Sequence, residues 1–167
     1  MRAALEYIKT KFGDKALMGA EVGVYRGEHA KDILDNMPIT KLYLIDRQLL
    51  PQLKDVYLEI YDRAIFLYGE SQSMSAYVPN NFLDFIYIDA SHDTNSVLRD
   101  IVVWFPKLKK NSVMCGHDYG NERDCPGVKV AVNKIVNDNN FKLHTNSDGT
   151  EKNSDWWIDL SEWTKIK

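Results

Sequence analysis

The chain reads as an α/β fold, a three-layer sandwich whose mostly parallel, seven-stranded sheet ends in a C-terminal antiparallel hairpin. Three observations predict it. From Leu17 onward, short apolar runs alternate with amphipathic stretches, the pattern of a parallel sheet covered by helices on both faces. One run, Phe85-Ile86-Tyr87-Ile88, is continuously apolar, as a strand buried on both sides is. The last two apolar runs have no helix between them, so they pair antiparallel.

The strands fall on Leu17–Val22, Lys41–Ile45, Ala64–Tyr68, Leu83–Ile88 and Ser112–Cys115, three of which end close to a carboxylate. Helical spacing places helices at Glu28–Asn36, Pro51–Tyr61, Ser73–Tyr77, Thr94–Phe105 and Val128–Asn137, with an amphipathic one in Met1–Phe12. Asp93-Thr94 supplies an N-terminal cap, Pro106 ends that helix, and Pro126-Gly127 opens the next. Lys107-Leu108-Lys109-Lys110 reads as a solvated helix end. The hairpin strands are Phe141–Thr145 and Trp156–Leu160, joined by the polar loop Asn146–Ser154. A dinucleotide-binding domain would continue with crossover helices at this point.

With 167 residues, 44% of them apolar, the chain suits a single domain over residues 1–167. A net charge of -3 lacks the basic surface that phosphate neutralisation needs, so no nucleic-acid partner is expected. Cys115 and Cys125 form neither a disulfide framework nor a zinc spacing. No apolar run approaches the ~20 residues that span a bilayer, and charges interrupt the N-terminal segment. A cytoplasmic protein with no membrane partner is the expectation.

Glu21-Val22-Gly23-Val24-Tyr25-Arg26-Gly27 follows a strand and opens a helix. A dinucleotide loop puts a glycine where Tyr25 stands, to make room for pyrophosphate. Tyr25 therefore disfavours pyrophosphate but not S-adenosylmethionine, which carries no phosphate. Glu21 suits the ammonium of that ligand, and Asp46, ending the next strand, suits its ribose hydroxyls. As a bare pattern the loop is equally a plain strand-to-helix turn.

A second constellation lies on the same rim. Asp89-Ala90-Ser91-His92-Asp93 ends the fourth strand and Gly116-His117-Asp118-Tyr119 the fifth. Asp89, His117 and Asp118 offer oxygen and nitrogen ligands without a thiolate, which suits Mg²⁺ or Mn²⁺. Asp93 reads as the cap of the following helix.

These motifs resemble the class I S-adenosylmethionine-dependent methyltransferases, and among them the small type 24 domain family, over about Leu17 to Leu160. The catalytic strands are also similar to those of catechol-type and macrolide-sugar metal-dependent O-methyltransferases. The resemblance implies a Rossmann-like sheet and a cofactor set of Glu21, Gly23, Tyr25, Gly27, Asp46, Arg47, Ser71, Gln72 and Asp89. Ser71 and Gln72 follow from Gly69-Glu70-Ser71-Gln72, similar to the catechol-type adenine segment, although Ser71 could equally cap a helix. It also implies that Asp89, His117 and Asp118 hold the metal and that His92 is the general base beside Asp89. His117 departs from the carboxylate more common there, which leaves it as ligand or second base.

Tyr25 and Tyr119 are candidates for the acceptor pocket, the Tyr119–Pro126 loop is either a substrate gate or a plain polar loop, and one of Trp156 and Trp157 belongs to the core. With only Met1–Phe12 ahead of the first strand, the pocket is either open or completed by a second subunit in a homodimer. The expected activity is divalent-metal-assisted O-methylation of a hydroxyl on a small molecule or sugar. The alternatives are a metal-independent methyltransferase and a non-catalytic S-adenosylmethionine-binding module.

Overall fold

A computed structural model describes residues 1–146 and 154–163. The elements run α1 (Ala3–Phe12), β1 (Leu17–Val22), α2 (Glu28–Asn36), β2 (Ile39–Asp46), α3 (Pro51–Ile60), β3 (Ala64–Tyr68), α4 (Ser71–Met74), β4 (Leu83–Ile88), α5 (Thr94–Trp104), β5 (Leu108–Gly116), α6 (Pro126–Asn139), β6 (Leu143–Thr145) and β7 (Trp156–Asp159). The strands form one sheet in the order β3-β2-β1-β4-β5-β7-β6. The first five are parallel, and β7 pairs antiparallel with both β5 and β6. This is a mostly parallel, Rossmann-like sheet with the C-terminal hairpin expected from the tail. Most of the loop joining the hairpin strands, 147–153, lies outside the described residues.

Period-two alternation divides the core into two layers. Phe85, Tyr87, Val113 and Cys115 pack with Leu5 and Ile8 of α1, Ile33 of α2 and Leu53 of α3. Ile86, Ile88 and Met114 pack on the other face with Val97, Ile101 and Trp104 of α5 and Val128 and Val132 of α6. All six residues of β4 are buried, which explains its unbroken apolar reading. Trp156 is 1% exposed, whereas Trp157 is half-buried and stacks on His144 at 5.6 Å.

Local chemistry sets the helix ends. Asp93 Oδ1 accepts from the Ser96 N–H at 3.0 Å and starts α5. The α-helix ends at Trp104, just ahead of Pro106 as expected, and a 3₁₀ turn, Phe105–Lys107, intervenes before β5. The Lys107–Lys110 cluster is therefore not a helix end. Leu108 to Lys110 open β5, and Lys109 turns to a buried acid. That acid is Asp84, the second residue of β4 and 2% exposed. Its carboxylate accepts from Lys15 Nζ at 2.9 Å, Lys109 Nζ at 2.8 Å and the Met18 N–H at 3.0 Å, tying three elements together.

Burial works against the Asp84 charge, but bonds from Lys109, the Met18 N–H and Lys15 outweigh it and hold the carboxyl below the ordinary aspartate range. The stability it contributes is complete above that range and is lost as pH falls through its lowered value. Because both lysines are partly solvated, Asp84→Asn is expected to cost about 1–3 kcal/mol at neutral pH. Urea unfolding at pH 7 and pH 3 checks this: the difference from wild type shrinks at the lower pH, and an equal difference at both would sink the account.

Candidate active site

Strand order reverses between β1 and β4, so their carboxyl ends open a crevice at the sheet's rim. The two chains pass very close there. The Asp89 N–H donates to the Val22 carbonyl at 2.7 Å. Gly23 follows at φ 90°, and a Cβ on it would lie 2.1 Å from the Asp89 carbonyl oxygen. Only glycine fits both the angle and the space. The loop then turns through Tyr25, a non-glycine residue at φ 52°, which costs about 1 kcal/mol. Asp46 holds that turn, its Oδ2 accepting from the N–H groups of Val24 and Tyr25 at 2.9 Å each. Its Oδ1 accepts from the Gln48 N–H at 2.8 Å.

A cavity of about 560 Å³ opens from this loop. Glu21, Gly23, Tyr25, Asp46, Arg47, Ser71, Gln72, Asp89 and His92 all line it; Gly27 lies just behind, at the start of α2. Tyr25 is exposed and stands at the mouth. Arg47 is exposed too, 3.5 Å from Glu70. Ser71 does not cap its helix. It opens α4, and its hydroxyl accepts from the Trp104 indole N–H at 2.8 Å. Gln72 donates to Asp100 Oδ1 at 3.0 Å, and this buried acid also lines the cavity.

Glu21 is 1% exposed. Its Oε1 lies 2.7 Å from His29 Nδ1, while its Oε2 and His29 Nε2 have no partner. Burial raises the Glu21 carboxyl above the ordinary glutamate range, against the opposing pull of His29. A buried acid with one free oxygen is costly unless a cation meets it.

Beside the glycine loop, the ends of β4 and β5 bring four groups together, of which Asp89 and His92 line the cavity. His92 Nε2 lies 3.5 Å from Asp89 Oδ1 and 3.2 Å from Asp118 Oδ2, aligned for a hydrogen bond with neither. His117 Nδ1 lies 3.4 Å from Asp118 Oδ2 and 4.0 Å from Asp89 Oδ2. One ligand atom each from Asp89, His117 and Asp118 falls within 4.8 Å of the others. Asp118 takes φ 61° at the end of β5, and its Oδ1 accepts from Asn121 Nδ2 at 3.1 Å. Burial would raise Asp89, but the nearby His92 imidazole and the bond from Arg2 outweigh it and hold the carboxyl down to about 2. Asp118 is likewise lowered, burial being overcome by His117 and Asn121. The neighbouring Asp89 raises His92, with Asp118 adding to it.

Two carboxylates and an imidazole this close, with no thiolate among them, make Asp89, His117 and Asp118 a donor set that fits a divalent cation. Cys125 forms an overlapping group with His92 and Asp118, but burial and Asp118 push its thiol up to about 11, so it stays neutral.

Two expectations about the acceptor side need correction. Tyr119 is buried, not a pocket residue, and its hydroxyl donates to Asn133 Oδ1 at 2.7 Å. The Tyr119–Pro126 loop contributes nothing to the cavity walls. Asn121 pins it, accepting from the Asp124 N–H and donating to Asp118 and Cys125. The sequence reading also missed Arg2, His29 and Asp100. Arg2 and His29 sit on helices that read only as amphipathic, with nothing to show which polar residue turns inward. Asp100 carried a signal, an acid among the apolar positions of α5.

Comparison with known proteins agrees with this fold. An uncharacterized protein, R132, of Acanthamoeba polyphaga mimivirus is 25% identical over 152 residues, 80% of this chain and 66% of that one. An rRNA methylase from Streptococcus thermophilus superposes with a TM-score of 0.70 at 13% identity, over 93% of each chain. A Staphylococcus aureus protein described as a caffeoyl-CoA O-methyltransferase gives 0.69 at 16%, over 95% of this chain and 84% of that one. Spermidine synthase from Thermotoga maritima gives 0.66 at 14%, over 94% of this chain. The chain thus spans about two thirds of the viral relative and 60% of the synthase. At such identities the structural likenesses speak for the fold alone. The family profile described as "Methyltransferase domain", type 24, matches residues 20–119, from the glycine loop through both acidic strand ends. The chain belongs to that methyltransferase-domain family and has the class I S-adenosylmethionine-dependent methyltransferase fold.

Proposed function

We propose that the chain transfers a methyl group from S-adenosylmethionine to a hydroxyl oxygen, on a small molecule or sugar, at the Asp89–His92–His117–Asp118 cluster. One observation carries this reading: a single cavity is lined both by the glycine loop and by Asp89 and His92, so a ligand held on the loop also meets the acid and the imidazole through which the cluster borders that cavity.

Each group in the cavity has work to do. Glu21 draws the cofactor's ammonium with its free oxygen. Asp46 fixes the loop and faces the ribose. Asp100, with Gln72, meets the edge of the adenine. Asp89 and His92 border the end where the acceptor hydroxyl meets the methyl group. There the new carbon–oxygen bond forms as the carbon–sulfur bond breaks, and His92 takes the hydroxyl proton. The two carboxylates beside it stabilise the imidazolium that forms when it takes the proton. A divalent cation bound by Asp89, His117 and Asp118 would lower the hydroxyl's pKa. Holding both reactants in line supplies ~7–11 kcal/mol of the barrier. The net charge of -3 favours a small acceptor over RNA. No described helix is long and apolar enough to cross a membrane.

Titration calorimetry with S-adenosylmethionine tests the cofactor half: no heat at millimolar ligand would sink it. Glu21→Gln is expected to weaken binding about tenfold or more. Wild-type affinity should fall as pH drops through the raised Glu21 value, above the ordinary glutamate range, because the protonated acid no longer draws the ammonium. In Glu21→Gln that slope should vanish, and its persistence would assign the titration elsewhere.

The metal half is tested by turnover on hydroxyl acceptors. Asp89→Ala, Asp118→Ala and chelator are each expected to abolish it. Full activity in chelator would leave a metal-independent enzyme. His92→Ala should lower kcat by about 10²–10⁴-fold, with smaller loss at high pH, where hydroxyls ionise unaided.

A further inference from the structure

Arg2 stands at the N-terminus of α1, and its side chain reaches across to the rim of the sheet. Nη1 donates to the Tyr87 hydroxyl at 2.8 Å and to Asp89 Oδ2 at 2.9 Å. Among the described residues, no hydrogen bond uses Nη2 or Nε. A guanidinium has five N–H donors, so most of this one's capacity is unspent.

Its place among the charges is telling. The cationic side chains around the cavity are Arg2, Arg26, Arg47 and Arg99. Arg26 lies 5.0 Å over the Tyr25 ring, Arg47 faces Glu70, and Arg99 donates to Ser96. Arg2 is the one that adjoins Asp89, and it is close enough to Glu21 to pull that carboxyl's proton affinity down. This end of the cavity therefore presents a buried anion with a free oxygen and a cation with free donors. Such a pair complements a zwitterion.

We propose that the Arg2 guanidinium binds the carboxylate of the cofactor's amino-acid end, while Glu21 binds its ammonium; this rests on the S-adenosylmethionine reading above. His29 is the positioning residue for Glu21, holding Oε1 and so aiming Oε2. The planar fork of Arg2 meets a carboxylate through paired N–H groups while Nη1 keeps its hold on Asp89. A competing role exists, because Arg2 could serve only as a strap that fixes Asp89. Ligand truncation separates the two.

Calorimetry on the full chain without added metal would compare S-adenosylmethionine with its decarboxylated form, which keeps the ammonium and lacks the carboxylate. The wild type should bind the first at least roughly tenfold more tightly. In Arg2→Gln that preference should disappear, with decarboxylated ligand bound as before, which also shows that the variant folds. Arg2→Lys should keep part of it. A preference unchanged in Arg2→Gln would overturn the proposal. So would equal weakening of both ligands, the signature of a strap. If the wild type binds neither ligand, the cofactor reading itself fails and this inference falls with it.

Discussion

The site depends on how closely two backbones pass at the rim of the sheet. β1 and β4 are adjacent and parallel, and their connections leave in opposite directions, so a crevice must open where they part. The Asp89 N–H bonds the Val22 carbonyl, and Gly23 lies almost against the Asp89 carbonyl. A side chain at position 23 would push the strand ends apart and move Asp89 with them. The glycine loop and the acidic strand end are thus one joint with two faces, one toward the cofactor cavity and one toward the His/Asp cluster. A second such joint lies behind it. A Cβ on Gly127 would meet the His92 carbonyl at 2.4 Å, so α6 seats against the turn that carries His92.

Charge organises what geometry brings together. Glu21, Asp89 and Asp118 are three acids shielded from water, and burial alone would drive each toward its neutral form. Their environments push them apart. Asp89 and Asp118 sit among histidines and Arg2 and stay ionised. Glu21 has His29 on one oxygen and nothing on the other, and its affinity for protons rises. An acid kept ionised suits a cation or base partner, while one left half satisfied suits a cationic ligand that comes and goes. Asp84 provides the structural contrast. It is as buried as Glu21, yet two lysines and a backbone N–H satisfy it, and it lies well away from the cavity.

Much of the fold was legible because the core is periodic. The continuous run in β4 and the tail's two apolar segments led to parallel and antiparallel pairing, and strand ends fell within a few residues. What misled was local. Pro106 does end the α-helix, which stops at Trp104, but the spacing did not show the 3₁₀ turn that follows, whose first turn needs no N–H from proline. The Lys107–Lys110 charges suggested solvent, because a sequence does not show that Asp84 awaits Lys109 across the strand pair. At the site, residues on strand ends were readable, since parallel strands deliver their carboxyl ends to one rim. Residues arriving from helices were not. Arg2, His29 and Asp100 reach the cavity only through a helix's rotation, which the spacing of apolar residues defines too coarsely to single out one polar side chain.

Asp46 shows why the strand-end residues carry more than one duty. A carboxylate at the end of β2 was read as a ribose acceptor, and it does line the cavity. Yet its Oδ2 is committed to the N–H groups of Val24 and Tyr25, and those bonds hold Tyr25 in its left-handed conformation. Two bonds to a carboxylate stabilise by about 1.5–3 kcal/mol each, enough to offset the roughly 1 kcal/mol of strain at Tyr25. A glycine at position 25 would need no such support. The tyrosine is sustained because Asp46 is there, and the loop so held places an exposed ring at the mouth of the cavity. The acid and the aromatic residue therefore act as one unit: remove the carboxylate, and the loop that carries Tyr25 loses its shape.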